Sequence, residues 1–254
     1  MKADFEEKYH SLEEKHWWFI ARREIILKLL GKIAPQRKGV KILEIGCSGG
    51  PLIESLVAEG YRDTYGIDVS KEAVQRCREK GLGNVVKMDG AETSFDDEAF
   101  DVIIASDVLE HIRDDGTAVA EWKRIVKRGG FLICFVPAFS LLWSKHDESN
   151  EHYRRYTKGG LERLFRRNKF SIIRASYWDT TLFFPVLLYR LVLRGACLGT
   201  LSANQLNAAN HLLNVCLTGL LRIENSLLSR GVNFPFGISV FVIAQRAQGD
   251  NSEG

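Results

Sequence analysis

Short apolar runs alternate with longer amphipathic stretches along most of the chain, and glycines punctuate the joints between them. The first compact run, Val40, Ile42, Leu43 and Ile45, suits a strand covered on both faces, and it runs straight into Gly46-Cys47-Ser48-Gly49-Gly50. Pro51 follows at a first helical position, and Leu52, Leu56 and Val57 begin an apolar helical face that stops at Gly60. The pattern repeats. Residues 63–70 predict a second strand with Ser70 as the cap of a helix through Ala73, Val74 and Cys77, and residues 84–88 predict a third strand. Phe100 to Ala105 reads as a fourth strand, a helix with Val119, Trp122, Ile125 and Val126 on one face ends at Gly129-Gly130, and Phe131 to Pro137 reads as a fifth. Thr157 caps a helix through Leu161, Leu164 and Phe165, Phe170 to Ser176 follows as a sixth strand, and Phe236 to Ala244 as the last. Strand and helix in strict alternation predict an α/β domain with a parallel, doubly wound sheet.

Three segments fall outside that rhythm. Residues 1–38 read as an N-terminal helical cap, with Ile25, Ile26, Leu29, Leu30 and Ile33 on one face. Adjacent Trp17 and Trp18 cannot both face inward on one helix, so they read either as packing or as a lid. Arg22 and Arg23 read either with them or as solvated surface charges. Residues 180–232 form a helical insertion in a domain spanning 39–246, because about sixty residues separate the last two strands, where a short connection is usual. Within it, Ala209, Leu213, Cys216, Leu220, Ile223 and Leu227 step by fours and threes, with Leu212, Leu217, Leu221 and Leu228 widening the apolar side. The stretch from Leu182 to Arg194 is broken by Pro185, Arg190 and Arg194 and falls short of the ~20 apolar residues that span a bilayer. Residues 247–254 are a polar tail.

Composition narrows the class. A chain of 254 residues with 45% hydrophobic positions holds one α/β domain with an ample core. Thirty-five basic against 32 acidic residues leave a net charge of +3, too balanced to call for nucleic acid. Five cysteines, Cys47, Cys77, Cys134, Cys197 and Cys216, stand far apart with no Cys-x-x-Cys pair. That pattern indicates neither a zinc knuckle nor a disulfide framework, and it suits a reducing cytoplasm. The first residues lack the apolar core of a signal peptide.

Candidate chemistry gathers at the ends of the predicted strands. No Gly-Lys-Ser/Thr follows the glycine turn, and its spacing is not Gly-x-Gly-x-x-Gly, so a pyrophosphate is not the expected ligand and an NAD-dependent dehydrogenase is disfavoured. Glu44 sits at the carboxyl end of the first strand, where it suits a cationic amine. Asp68, 24 residues further on, ends the second strand, where such folds hydrogen-bond ribose hydroxyls. Asp89 ends the third. The pattern Glu44-x-Gly46-x-Ser48-x-Gly50, the acids Asp68 and Asp89, and the stretch Ser106-Asp107-Val108-Leu109-Glu110-His111 together resemble the motifs of class I S-adenosylmethionine-dependent methyltransferases. The family usually has glycine where this chain has Ser48. The resemblance implies a Rossmann-like seven-stranded sheet with an antiparallel last strand and S-adenosyl-L-methionine as cofactor. It assigns cofactor binding to Glu44, Gly46, Cys47, Ser48, Gly49, Asp68, Val69, Met88, Asp89, Gly90, Ser106, Asp107 and Val108, with Met88 against the adenine.

The acceptor side is read from the loop after the fifth strand. His146, Asp147, Glu148 and His152 match no metal-binding spacing, and no metal is expected. The favoured reading is a substrate pocket in which a histidine removes a proton from a hydroxyl. His152 is the first candidate base, with His111 and His146 as competitors, and Trp18, Arg154 and Tyr156 are substrate-binding candidates. The aromatic start and the loop from His146 to Thr157 are also loosely similar to bacterial methyltransferases of polyprenyl-linked sugar or lipid pathways. That similarity suggests a small-molecule or lipid-linked acceptor, O-methylation, and a cytoplasmic protein touching the inner face of the membrane through residues 182–230. The rival expectation is a catalytically silent cofactor-binding scaffold that recruits a partner through the insertion.

Overall fold

The computed structural model describes residues 12–195 and 210–249. Seven strands form one sheet: β1 (Ile42–Ile45), β2 (Thr64–Asp68), β3 (Val85–Lys87), β4 (Phe100–Ser106), β5 (Val126–Pro137), β6 (Phe170–Trp178) and β7 (Ser239–Arg246), in the order β3-β2-β1-β4-β5-β7-β6. The first five pair in parallel, and β7 runs antiparallel between β5 and β6. This is the doubly wound, Rossmann-like sheet with an antiparallel last strand. The order reverses at β1 and β4, so their carboxyl ends open the crevice where such sheets bind ligands.

The connecting helices are α2 (Pro51–Ala58), α3 (Lys71–Glu79), α4 (Asp115–Ile125), α5 (Lys145–Ser149) and α6 (Lys158–Arg167). Local signals set their ends. Pro51 opens α2, the Ser70 hydroxyl accepts from the Ala73 amide, and the Thr157 hydroxyl accepts from the Gly160 amide. One boundary differs from the sequence reading. Helix α4 ends at Ile125, and β5 starts at Val126, five residues before Phe131, because Val126 pairs with Phe100 and Gly129 takes a positive φ of 74° as the strand bends.

Two apolar layers sandwich the sheet. On one face Trp122, Leu161 and Phe165 pack against Leu43, Ile103 and Leu132. On the other, the cap helix α1 (Trp17–Ile33) lays Ile25, Ile26, Leu29 and Leu30 against Ile42, Ile104, Phe135 and Phe241. The insertion contains α7 (Phe183–Gly195) and α8 (His211–Ser229), and α8 packs along α1. Its buried positions are Thr218, Leu221, Glu224, Asn225 and Leu228. Leu213, Leu220, Ile223 and Leu227, the stripe that periodicity singled out, lie on the exposed side, and Ala209 lies outside the described residues.

Candidate active site

A cavity of about 1270 Å³ opens along the carboxyl ends of the parallel strands, roofed by the N-terminal segment and α1. The turn after β1 lines its cofactor end. Gly46 has a φ of 72°, and a Cβ there would collide with the Val108 side chain, so only glycine lets the two strand-end loops approach. Ser48 also sits at positive φ, 48°, which explains why glycine is the usual residue at this position. Its hydroxyl donates to the Glu13 carboxylate at 2.6 Å, and its amide donates to Asp68 at 2.9 Å. The other Asp68 oxygen accepts from the Ser70 amide at 2.8 Å, so this carboxylate braces the loop that it borders.

Glu44 is only 7% exposed, and its Oε2 has no hydrogen-bond partner. Burial, reinforced by Glu13 and other nearby groups, pushes its carboxyl well above the usual range. A buried carboxyl left this way is costly until a donor reaches it. A cationic amine meets that need, so the pocket fits the amino-acid end of S-adenosylmethionine. Ile45, Cys47, Val69, Met88 and Gly90 also line the wall, as do Ser106, Asp107 and Val108. Gly49 and Asp89 do not line it. Asp89 is exposed and accepts from the Ala91 amide at 2.8 Å.

Arg22 ties the cap to this rim, which corrects its reading as a solvated charge. It is 3% exposed and donates to Asp107 at 2.9 Å, to Ser106 at 3.2 Å and to Ser239 at 2.7 Å. Its guanidinium lies 4.4–4.5 Å from the ring centroids of Trp18, Phe135 and Trp178. Asp107, held at a positive φ of 58°, is fixed by that pair. Trp17 and Trp18 both line the cavity, and Trp18 also packs edge-on against Trp178, so packing and covering coexist. Among the sequence signals, only the cap's amphipathic period pointed to Arg22.

His111, His146 and His152 line the same cavity. His152 Nδ1 is 3.0 Å from Asp147, and Arg155 contacts the two Asp147 oxygens at 2.7 and 3.1 Å. Burial alone would raise Asp147, yet the His152 and Arg155 hydrogen bonds hold it well below the carboxylate range. An ionised Asp147 fixes the His152 tautomer, leaving Nε2 to face chemistry. Burial lowers His146 to about 4, and Asn150 packs on its ring. His111 stays open on one side, but desolvation and the His152 ring 4.6 Å away bring it also to about 4.

Arg154 and Tyr156, two of the substrate-binding candidates, have partners within the fold. Neither lines the cavity. Both are committed to Asp115, Arg154 at 2.7 Å and the Tyr156 hydroxyl at 2.9 Å, and they anchor the loop rather than face a ligand. Arg155 is the neighbour that reaches the cavity. Glu148 is likewise absent from the wall, whereas Glu110 is in it. Glu110 is fully buried, with neither carboxylate oxygen hydrogen-bonded, and its place between Leu109 and His111 gave little sign of this.

The strand order and the acids at the rim give an α/β domain with a cavity at the carboxyl ends of its parallel strands. A methyltransferase-domain family profile matches residues 43–134. Residues 43–134 are thus similar to a methyltransferase domain, and the sheet has the Rossmann-like fold seen in S-adenosylmethionine-dependent methyltransferases, a class whose cofactor is S-adenosylmethionine. Among relatives, it is 38% identical over 98 residues to a ubiquinone biosynthesis O-methyltransferase of Methylococcus capsulatus, a match covering 36% of this chain and 41% of that one. The chain thus spans less than half the length of that relative. Among solved structures, it resembles a sarcosine dimethylglycine methyltransferase of Galdieria sulphuraria, described there as putative, with TM-score 0.62, 13% identity, and coverage of 91% and 87% of the two chains. It also resembles the [4+2]-cyclase SpnF, with TM-score 0.57, 19% identity, and coverage of 89% and 82%.

Proposed function

We propose that this chain transfers a methyl group from S-adenosylmethionine to a hydroxyl oxygen of a small, lipid-linked acceptor. The observation that carries the reading is the Arg155–Asp147–His152 chain of contacts in the same cavity as the Glu44 cradle. When bound, the cofactor supplies an electrophilic methyl on sulfonium sulfur, and the new carbon–oxygen bond replaces the carbon–sulfur bond. His152 Nε2 takes the hydroxyl proton, and Asp147 stabilises the imidazolium that results. Asp68 carries lone pairs for the ribose hydroxyls, and Glu44 faces the amine. Trp17, Trp18 and Arg22 line the same cavity.

The insertion supports the lipid-linked part of the reading. Arg190, Leu213 and Leu217 line the cavity, while Phe184, Leu188, Val192, Leu212 and Ile223 expose apolar side chains nearby on α7 and α8. No helix among the described residues is long and apolar enough to cross a membrane. We propose a cytoplasmic protein whose exposed apolar side chains on α7 and α8 meet the inner face of the membrane. The test is methyl transfer from isotopically labelled S-adenosylmethionine into separate lipid and aqueous extracts. Label in a lipid product is the expected result. Label only in aqueous products would remove the lipid-linked acceptor, and no labelled product in either extract would favour the catalytically silent scaffold.

A further inference from the structure

Cys47 and Cys77 are far apart in the chain, one in the turn after β1 and the other near the end of α3, yet they share a small apolar cluster with Ile53, Val74 and Val85. Their sulfurs turn to the same carbonyl. Cys77 Sγ donates to the Ser48 oxygen at 3.2 Å, and Cys47 Sγ stands 3.9 Å from that oxygen. The two side chains also hydrogen-bond each other. Two glycines make the space for them: a Cβ on Gly66 would meet Cys47 Sγ at 2.8 Å, and one on Gly50 would meet Cys77 Sγ at 3.0 Å. The bond from Cys47, with Lys80 one turn on, brings the Cys77 thiol below its ordinary range against the opposing effect of burial. Cys47 keeps its proton and forms part of the cavity wall. Both thiols are free, and neither moves a proton in the methyl transfer described above.

We propose that Cys47 and Cys77 are an oxidation site, closing a reversible disulfide that lowers cofactor affinity. The oxidant is a peroxide that enters through the cavity. The Cys77 thiolate attacks one peroxide oxygen, the oxygen–oxygen bond breaks, and the other oxygen takes up a proton and leaves as water or an alcohol. The Cys47 sulfur then attacks the Cys77 sulfenic sulfur, and its proton departs with the hydroxyl as water. Two thiols have lost two electrons, and the peroxide has gained them. The new bond ties the turn that carries Gly46 and Ser48 to α3. Ser48 feels the pull first, because its carbonyl loses the Cys77 donor while its amide holds Asp68 at 2.9 Å and its hydroxyl holds Glu13 at 2.6 Å. By the same linkage, a bound cofactor disfavours the disulfide. A reducing compartment suits such a pair, since disulfides there are typically transient. The proposal rests on the methyltransferase reading only for the identity of that cofactor.

The test treats the full, reduced chain with hydrogen peroxide, maps its disulfides by peptide mass spectrometry, and measures S-adenosylhomocysteine affinity by calorimetry before oxidation, after it and after dithiothreitol. A Cys47–Cys77 link, at least a tenfold loss of affinity and recovery on reduction are expected. Cys77→Ser should bind within twofold of wild type when reduced and keep that affinity through the same treatment. Should this variant fail to fold, the wild-type map with and without saturating S-adenosylhomocysteine serves instead, with the ligand cutting the linked fraction at least threefold. No Cys47–Cys77 link under peroxide that oxidises exposed Cys216 would overturn the site. A link that leaves affinity within twofold, or an equal loss in Cys77→Ser, would overturn its effect on the cofactor. A reduced wild type that binds no S-adenosylhomocysteine would count against the methyltransferase reading instead, and the mapped bond would still decide the oxidation site.

Discussion

The rim of the sheet and the helical insertion obey different rules. At the rim, the candidate residues follow chain position: Glu44, Gly46 and Asp68 sit where strands end, and strand ends are where open parallel sheets bind ligands. In α8, burial runs against the hydrophobic pattern. Ile223 is 64% exposed, while Glu224 and Asn225 beside it are buried. Those two polar groups are satisfied by partners distant in sequence. Asn225 accepts from the Trp178 indole at 2.8 Å and donates to the Ala21 carbonyl, and Glu224 accepts from the Asp179, Thr180 and Thr181 amides. A polar seam fixes the docking of α8 on α1, and the apolar stripe is left for something else.

The sharpest way to break this comparison is at the catalytic end of the rim. His152→Ala should lower turnover about 10²–10⁴-fold, the range for loss of a general base, with cofactor affinity nearly intact. Turnover within twofold of wild type, at saturating cofactor and acceptor, would leave the loop with binding alone.

Next comes the insertion. Leu221, fully buried against the cap, should cost about 2–5 kcal/mol of stability when changed to alanine. Ile223→Ala, two residues on, should stay within about 0.5 kcal/mol. Equal losses in chemical denaturation would mean that the two faces of α8 are not distinguished as described.

At the cofactor end, Asp68→Ala should weaken S-adenosylhomocysteine binding by about 1–3 kcal/mol in calorimetry, the scale for hydrogen bonds to a charged group. Unchanged affinity in a folded variant would remove Asp68 from the ribose.

A smaller effect concerns pH. Burial, with Glu224 nearby, raises Asp179 to about 8, far above its value of about 3.9 in an unfolded chain. The fold therefore holds this proton where the unfolded chain does not. Its stabilising contribution is complete below pH of about 4 and is lost as pH rises to about 8. Asp179→Asn should flatten that decline, and asparagine tolerates the residue's positive φ of 61°. Parallel denaturation curves of wild type and variant from pH 5 to 8.5 would contradict the assignment.

Much of the sheet and of the turn after β1 was legible because each signal is short-range. A β-rich run, a glycine that only a tight turn needs and an acid at the strand end lie within a dozen residues of one another. Ser48 shows the limit, since its positive φ is visible only with the loop folded, when Glu13 takes its hydroxyl. The acceptor end was legible in residue types but not in partners. His152 stood out, yet the choice of Arg154 and Tyr156 over Arg155 turned on Asp115, which lies in α4, about forty residues away. Glu110 and Arg22 were hardest to read. A buried charge looks like a surface charge until the aromatic rings and carboxylates that meet it are brought together from four parts of the chain.

The central claim is that the rim is a cradle for S-adenosylmethionine, and calorimetric titration of the full chain with S-adenosylhomocysteine and with NAD tests it most directly. The account predicts saturable 1:1 binding of S-adenosylhomocysteine, because Glu44 awaits a cationic amine, and none of NAD, because no loop here receives a pyrophosphate. Tight NAD binding with no response to S-adenosylhomocysteine would contradict it.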